Sequence, residues 1–480
     1  MASVKATARG TRRTFPLCLL RKCLDPAVMI LFTKYLPAGV SPNPAETTAA
    51  LQHALDEAAK GADTTVSVAP GRWTVRTVFL RSNVTLHLEA GAVLQPDPDL
   101  SQYPDLGHGH NKDRQPYHLL VADGVENIVL TGTGTIDGCG ELFWEGFHPP
   151  PNDYFHKAKP ERISPLVEIR RCRNVRIEKI RIVNSPGWTV HAFCCDHVHI
   201  EGIVIENHPT GPNTDGLDIN GCRHVFIANC RIHGCDDNII LKATADARAC
   251  EHIVITNCVL ESLCAAIGIG AETASSIRHV AVSNCTVINA IRMIQIIMWD
   301  GGVVENCVFT NITGTAMTRR GTDRAIHFDI QEHIGEAPEL GKMRNILVSN
   351  VVCRTRGRIL LTAQDGARLE NITLRDIVLD YPEVENPAET VPRDNSSQLS
   401  NFSPEARVAR AAVVADNVSG LVLDNILTRW PEDPAAVAAP MAGFWGRNVG
   451  PAVIDSPFLT ASSPGADSIS QTDCRLTVRG

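Results

Sequence analysis

Apolar and polar residues alternate along this chain in short runs, as in Val66-Ser67-Val68, Thr74-Val75 and Val84-Thr85-Leu86-His87-Leu88, with Pro70-Gly71 and Gly91 between them. A period of two over so few positions, bounded by turn formers, predicts short strands rather than helices. One segment breaks the pattern. From Asn43 the spacing becomes helical, with Asn43 as N-cap, Pro44 in the first turn, Glu46 three positions after the cap, and Leu51, Ala54, Leu55 and Ala58 on one face. This helix is expected to close one end of whatever the strands build.

Many of the strand-like segments are copies of one another. They read Asn174-Val175-Arg176-Ile177, His197-Val198-His199-Ile200, His224-Val225-Phe226-Ile227, His252-Ile253-Val254-Ile255, His279-Val280-Ala281-Val282 and Gly302-Val303-Val304. Their second positions advance along the chain in steps of 23, 27, 28, 27 and 23. Fainter copies start at Asn127, Asn345, Asn371 and Gly420. A period of roughly 22 to 28 residues with three short strands per repeat and no helix between them implies a parallel β-solenoid, each repeat being one coil. Leucine-rich repeats share the period but need a Leu-x-x-Leu-x-Leu frame that is absent. The expected fold is therefore all-β: a single-stranded parallel β-helix over residues 41–460 with a short N-terminal capping helix. An N-terminal extension, residues 1–40, and a loose C-terminal tail, residues 461–480, flank it. The Pro, Glu, Asn and Ser rich stretch from Tyr381 to about Ala406 reads as a long loop.

Composition fits one solenoid better than the three domains that 480 residues would otherwise suggest. Only 5% of residues are aromatic, so the core must come from Val, Ile, Leu, Ala and the 16 cysteines. Asn229-Cys230, Asn257-Cys258, Asn284-Cys285 and Asn306-Cys307 recur at spacings of 28, 27 and 22. Asn amides stacking coil on coil beside a small inward Cys explain this better than disulfides or zinc. A net charge of -8 gives no basic field for nucleic acid, and no run of 18 apolar residues spans a bilayer.

Two acidic clusters carry candidate chemistry. Asn213-Thr214-Asp215 and Asp236-Asp237 set Asp215 and Asp236 at a spacing of 21. Asp236 is the eleventh position after Val225, whereas Asp215 is the seventeenth after Val198; the excess of six matches an excursion at His208-Pro209-Thr210-Gly211-Pro212 with its neighbour. Without that loop the clusters are in register on neighbouring coils, about 4.8 Å apart. Carboxylates so close cannot all ionise freely, and one protonated acid beside ionised partners is what glycoside hydrolysis needs. A solvated or calcium-binding acidic turn is the competing reading. Arg292 falls in the column of Asp237 two coils on, with Cys264 and Ala265 between. Lys242 points to the same groove or to plain solvent. Trp188 and His191, one coil before Asp215, are candidate sugar contacts or packed turn residues, and Asn213 flanks the cluster.

Asn213-Thr214-Asp215, Gly234-x-Asp236-Asp237, the run Ser185-Pro186-Gly187-Trp188-Thr189-Val190-His191, Ile136-Asp137-Gly138 with Trp144, and Ile291-Arg292 resemble the polygalacturonase family of pectin-degrading glycoside hydrolases. The stretch from Ala45 to Leu94 is similar to its bacterial, often exo-acting members. The resemblance covers roughly residues 45 to 375. It implies a right-handed β-helix and an inverting mechanism, with Asp236 as general acid and Asp215 and Asp237 activating water, and no metal or organic cofactor. Two departures stand out. Where the family has Gly-His-Gly this chain has Leu263-Cys264-Ala265, and where it has Arg-Ile-Lys this chain has Arg292-Met293-Ile294.

The expected partner is a pectic or other uronate-containing oligosaccharide or polysaccharide, with neither nucleic acid nor membrane as a partner. A non-catalytic glycan-binding β-helix and a polysaccharide lyase are the alternatives. Thr11-Arg12-Arg13-Thr14-Phe15 loosely echoes a twin-arginine export signal, but Arg21, Lys22 and Asp25 interrupt the apolar stretch behind it. Buried free thiols lean toward a reducing, cytoplasmic location, with secretion or the periplasm as the alternative.

Overall fold

The computed structural model describes residues 29–479 apart from 39–40, 61–64, 109–112, 151–153, 320–322, 333–338, 388–402 and 438. Among the described residues, thirty-five strands join in one continuous sheet of parallel ladders. The path of one coil shows why. Strands Val190–Phe193, Asp196–Glu201 and Val204–Glu206 stack on Leu217–Asn220, Arg223–Ala228 and Arg231–Gly234. These stack in turn on Ile239–Lys242, Cys250–Thr256 and Val259–Ser262. Each strand alternates, so Val198, Val225, Ile253 and Val280 form one buried inner column. The result is the expected parallel β-helix.

The first residue of each repeat has a backbone reason to recur. Asn174, His197, His224, His252, His279, Asn306, Asn345 and Asn371 all have φ between 54° and 62°. Asn and His tolerate this left-handed turn better than most residues. Register also corrects two repeat positions. Val280 pairs with Cys307, so the next copy after His279 is Asn306-Cys307-Val308-Phe309, not Gly302-Val303-Val304. Asn306 then belongs to a second ladder, with Asn345 and Asn371, where amides bond at 3.0 and 3.1 Å. Asn229, Asn257 and Asn284 continue instead into Asn311 and Asn350. The odd spacing of 22 was a step between ladders.

At the N-terminal end the helix Pro44–Ala58 carries the expected capping box: Asn43 Oδ1 accepts from Glu46 N and Glu46 Oε2 from Asn43 N, both at 2.9 Å. Its buried face of Leu51, Ala54, Leu55 and Ala58 joins Phe32 in the core. Part of the supposed extension is therefore structural, since Met29–Leu31 also pairs with Thr65–Ser67. The Arg12-Arg13 motif lies outside the described residues. The C-terminal tail is a correction too: Ile469–Thr472 and Leu476–Arg479 add strands to Phe444–Arg447 and Ala452–Asp455. Backbone pairing with the last coil holds a segment whose sequence has little apolar content. Most described cysteines are buried and all are free thiols. Cys172, Cys195, Cys222 and Cys250 stack at one turn.

Candidate active site

The acidic clusters meet where the chain re-enters a strand after the excursion that follows Val204–Glu206. Gly216 N donates to Asp237 O at 2.8 Å and Leu217 pairs with Ile239, so Asp215 stacks on Asp237 rather than on Asp236. In register the excursion thus adds five positions, not six. Two glycines allow the close approach: a Cβ on Gly216 would lie 2.4 Å from Asn238 O, and one on Gly234 2.5 Å from Thr214 O. Thr214 Oγ1 accepts from Cys235 N at 3.0 Å, tying the two clusters together.

Asp215 and Asp237 are buried, at 4% and 8% exposure, while Asp236 reaches a cavity. Asp237 Oδ1 accepts from Ala265 N at 2.9 Å, and Asp236 Oδ1 from Asp237 N at 3.0 Å. Ser262 Oγ donates to Asp236 O at 2.8 Å and accepts from Cys264 N at 2.7 Å. The Cys264 thiol therefore stands where a carboxyl can use it. One ligand atom each from Asp236, Asp237 and Cys264 lie within 4.8 Å of one another.

Burial and neighbouring charge spread the affinities of these acids for protons. Asp236 is pushed up to about 6, first by burial, then by the charge of Asp237, with the Cys264 hydrogen bond acting in the opposite direction. Burial, then Asp218 and Asp236, raise Asp215 well above the ordinary carboxylate range. Asp218 is raised as well, by burial against the pull of Lys242. The sequence reading missed Asp218. It follows His191 by one coil period and pairs with it in the ladder; that spacing was the available signal.

Lys242 lies beneath the carboxylates rather than in open solvent. Its Nζ is 2.9 Å from Glu272, 3.7 Å from Asp218 and 4.7 Å from the Trp188 ring centroid. Trp188 is buried against Lys242 and His191. His191 is fully buried and its Nδ1 is 2.7 Å from Glu168 Oε2, so the structure leaves neither ring open to a ligand. Asn213 lines the cavity and accepts from Arg162 Nη2 at 3.2 Å. Arg292 pairs with Ala265 in the register the phase argument expected, and its Nη1 reaches Cys264 Sγ at 3.4 Å and Gln295 Oε1 at 3.1 Å. Ile294 turns inward, in a column with Ile239, Ile267 and Ile326.

The cavity holds about 620 Å³. Besides Asp236, Asn213 and Cys264, it is lined by Asp113, Arg162 and residues at both ends of one segment, Glu145 and His148 at one and Tyr154, Phe155 and Lys157 to Pro160 at the other. That segment is an antiparallel hairpin, Trp144–Phe147 with His156–Ala158, set outside the long sheet. Trp144 anchors it through Nε1 to Pro186 O at 2.9 Å. The hairpin was not foreseen, because an insertion carries no repeat period.

Comparison with known proteins places this arrangement. The profile of Glycosyl hydrolases family 28 matches residues 74–399. The chain belongs to that family. A probable polygalacturonase of Vitis vinifera is 29% identical over 301 residues, 58% of this chain and 60% of that one. Polygalacturonase-2 of Solanum lycopersicum is 25% identical over 205 residues, 42% of this chain and 43% of that one. The chain thus spans less than two thirds of the length of these curated relatives. Among solved structures, a hyperthermoactive exopolygalacturonase from Thermotoga maritima superposes with a TM-score of 0.64 at 22% identity, over 74% of this chain and 88% of that one. A family 28 exopolygalacturonase from Yersinia enterocolitica gives 0.69 at 15%, over 89% and 78%. At such identities these two likenesses speak for the family 28 protein's β-helix fold.

Proposed function

We propose that this family 28 protein is an inverting hydrolase of pectic or related uronate-bearing glycans, acting from a chain end. The observation that carries the reading is Asp236: a carboxyl at a cavity wall with its pKa pushed up to about 6, beside the buried pair Asp215 and Asp237. Asp236 gives its proton to the glycosidic oxygen as the bond to the anomeric carbon breaks. A water held by Asp215 and Asp237 adds to that carbon from the opposite face and loses one proton to the ionised member of that pair, inverting the configuration. Every step uses carboxyl groups alone.

Two features support the finer parts of the reading. The hairpin stands against the cavity beside Asp236, where it would stop a long chain from running through, which supports action at an end. Lys157, Lys159 and Arg162 border the same cavity and supply cations for uronate groups, and Arg292 flanks Cys264. The names of the curated relatives and of the two solved structures point to polygalacturonate as the first substrate to try. The test is a series of galacturonate oligomers, with product anomer followed by NMR and product size by chromatography. Inverted monomer or dimer released from one end is expected. Retained configuration, unsaturated products absorbing in the ultraviolet, or binding without turnover would each overturn the proposal.

A further inference from the structure

A second cluster of ionisable side chains lies on the same sheet as the catalytic carboxylates, two coils toward the N-terminus. Its base is Glu168 on the strand Val167–Arg170, which pairs through His191 to Asp218 in the ladder. Over it sit His118, just ahead of the strand Leu120–Asp123, and His108 from the preceding loop, their rings stacked at 5.5 Å.

The two histidines are held as donors of lone pairs. His118 is fully buried, and its Nδ1 lies 2.9 Å from Pro165 O, a carbonyl that can only accept. The proton must therefore be on Nδ1, leaving Nε2 with a lone pair that has no hydrogen-bond partner among the described residues. His108 shows the same asymmetry: Nε2 faces Asp123 Oδ2 at 3.7 Å, and Nδ1 is buried without a partner among the described residues. One ligand atom from each of His108, His118 and Glu168 lie within 4.8 Å of one another.

We propose that His108, His118 and Glu168 bind one transition-metal ion of the zinc class, at a site distinct from the catalytic carboxylates. Two imidazole nitrogens and one carboxylate oxygen are the donor set of such ions, whereas calcium and magnesium favour oxygen donors. The surroundings orient the donors as outer partners of a metal site do. Pro165 O fixes the His118 tautomer, and Glu168 is held by His191 at 2.7 Å and Arg170 at 3.2 Å. Arg170 also offsets the charge of Glu168, so affinity would come from imidazole coordination rather than from net charge. The consequence is structural. The ion would clamp the loop ahead of Leu120 to the β-helix, and that loop carries Asp113 to the cavity wall, where Ser164 Oγ and Arg162 meet it.

The test is equilibrium dialysis of the full chain against Zn²⁺ or Co²⁺ after chelator treatment, with Co²⁺ absorption bands and the Tm as readouts. Among the described residues two other groups could take the same ions, Asp196, His197 and His224 on the outer surface and the catalytic Asp236, Asp237 and Cys264. The His197→Ala/His224→Ala and Cys264→Ser variants are therefore controls. We expect one tightly bound ion per chain, a Tm that rises with metal concentration, and retention of both effects in the two controls. His108→Ala, at the less buried ligand, and His118→Ala should each lose the ion and the Tm response. Absence of binding, binding that survives both histidine substitutions, or loss in either control variant would overturn the assignment.

Discussion

Replacing Asp236 by Asn should make the protein more stable and less active at once. The amide keeps the shape and keeps an oxygen for Asp237 N, which now bonds Asp236 Oδ1 at 3.0 Å. It removes a carboxyl whose folded-state pKa is raised from 3.8 to about 6 by burial and by Asp237. An acid raised on folding holds its proton more tightly in the native state. Its ionisation therefore costs stability progressively as pH rises from about 3.8 to about 6, with the full cost above that. At about 1.4 kcal/mol per unit, two units set an upper bound of about 3 kcal/mol, and contact with cavity solvent reduces it to the order of 1–2 kcal/mol. Urea unfolding of both proteins should then coincide near pH 3.5 and favour the variant by that amount at pH 7.5. Turnover of oligogalacturonate should fall by about 10²–10⁴-fold, the usual share of general acid catalysis. A variant whose advantage over the native protein is no larger at pH 7.5 than at pH 3.5 would refute the electrostatic argument, and one that keeps its activity would refute the role of Asp236 as acid.

If the proposed activity holds, the alkaline limb of kcat/KM for the native protein should fall near pH 6, and Cys264→Ala should move it upward by removing the hydrogen bond that lowers the pKa of Asp236; an unmoved limb would deny the thiol any part in setting the acid. Arg292→Gln should raise KM for uronate oligomers about tenfold or more with a smaller change in kcat, whereas an unchanged KM would place uronate recognition elsewhere on the cavity wall. Gly216→Ala forces a Cβ to within 2.4 Å of Asn238 O, so it should lower the Tm and abolish turnover together; full activity would mean that the backbone around Asp215 yields freely. Asn311→Ala removes a side chain that donates to Asn284 at 3.1 Å and accepts from Asn350 at 3.1 Å at φ 56°, a loss of about 1–2 kcal/mol measurable by urea unfolding.

How much of this could be read from the sequence depended on whether a feature obeyed the coil period. The β-helix, the Asn43 cap and the column Asp237–Ala265–Arg292 all did, and spacing alone located them. Asp218 obeyed it too, one coil after His191, but inside Asn-Thr-Asp-Gly-Leu-Asp it was overshadowed by Asp215. The hairpin from Trp144 to Ala158 and the loop that carries His108 and Asp113 are insertions between coils. Their placement is set by contacts such as Trp144 with Pro186 and Arg162 with Asp113, which no periodicity announces. Repeat phase failed in one further place, between His279 and Asn306, because Gly302-Val303-Val304 imitates the apolar run while Asn306 supplies the left-handed turn in register with His279.

Register also changes the meaning of the two departures from the family pattern. Ile294 lies in an inner column of isoleucines, so the groove-facing position next to Arg292 is Gln295, which accepts a hydrogen bond from the guanidinium. A lysine at 294 would have to bury its ammonium in that core, at a cost of several kcal/mol. The replaced histidine is a different matter, since Cys264 still contacts Asp236 and Arg292. A thiol is a weaker donor than an imidazolium and adds no charge, so it lowers the pKa of Asp236 only in part. That leaves the acid near 6, protonated for about half of the molecules at pH 6 and about a tenth at pH 7. Strengthening the donor would lower the pKa of Asp236 further and move activity away from neutral pH, and a full cation beside it would favour ionisation most. The uncharged thiol is thus compatible with an acid that must hold a proton, and Cys264→His should shift the alkaline limb below pH 6 wherever the new ring is charged.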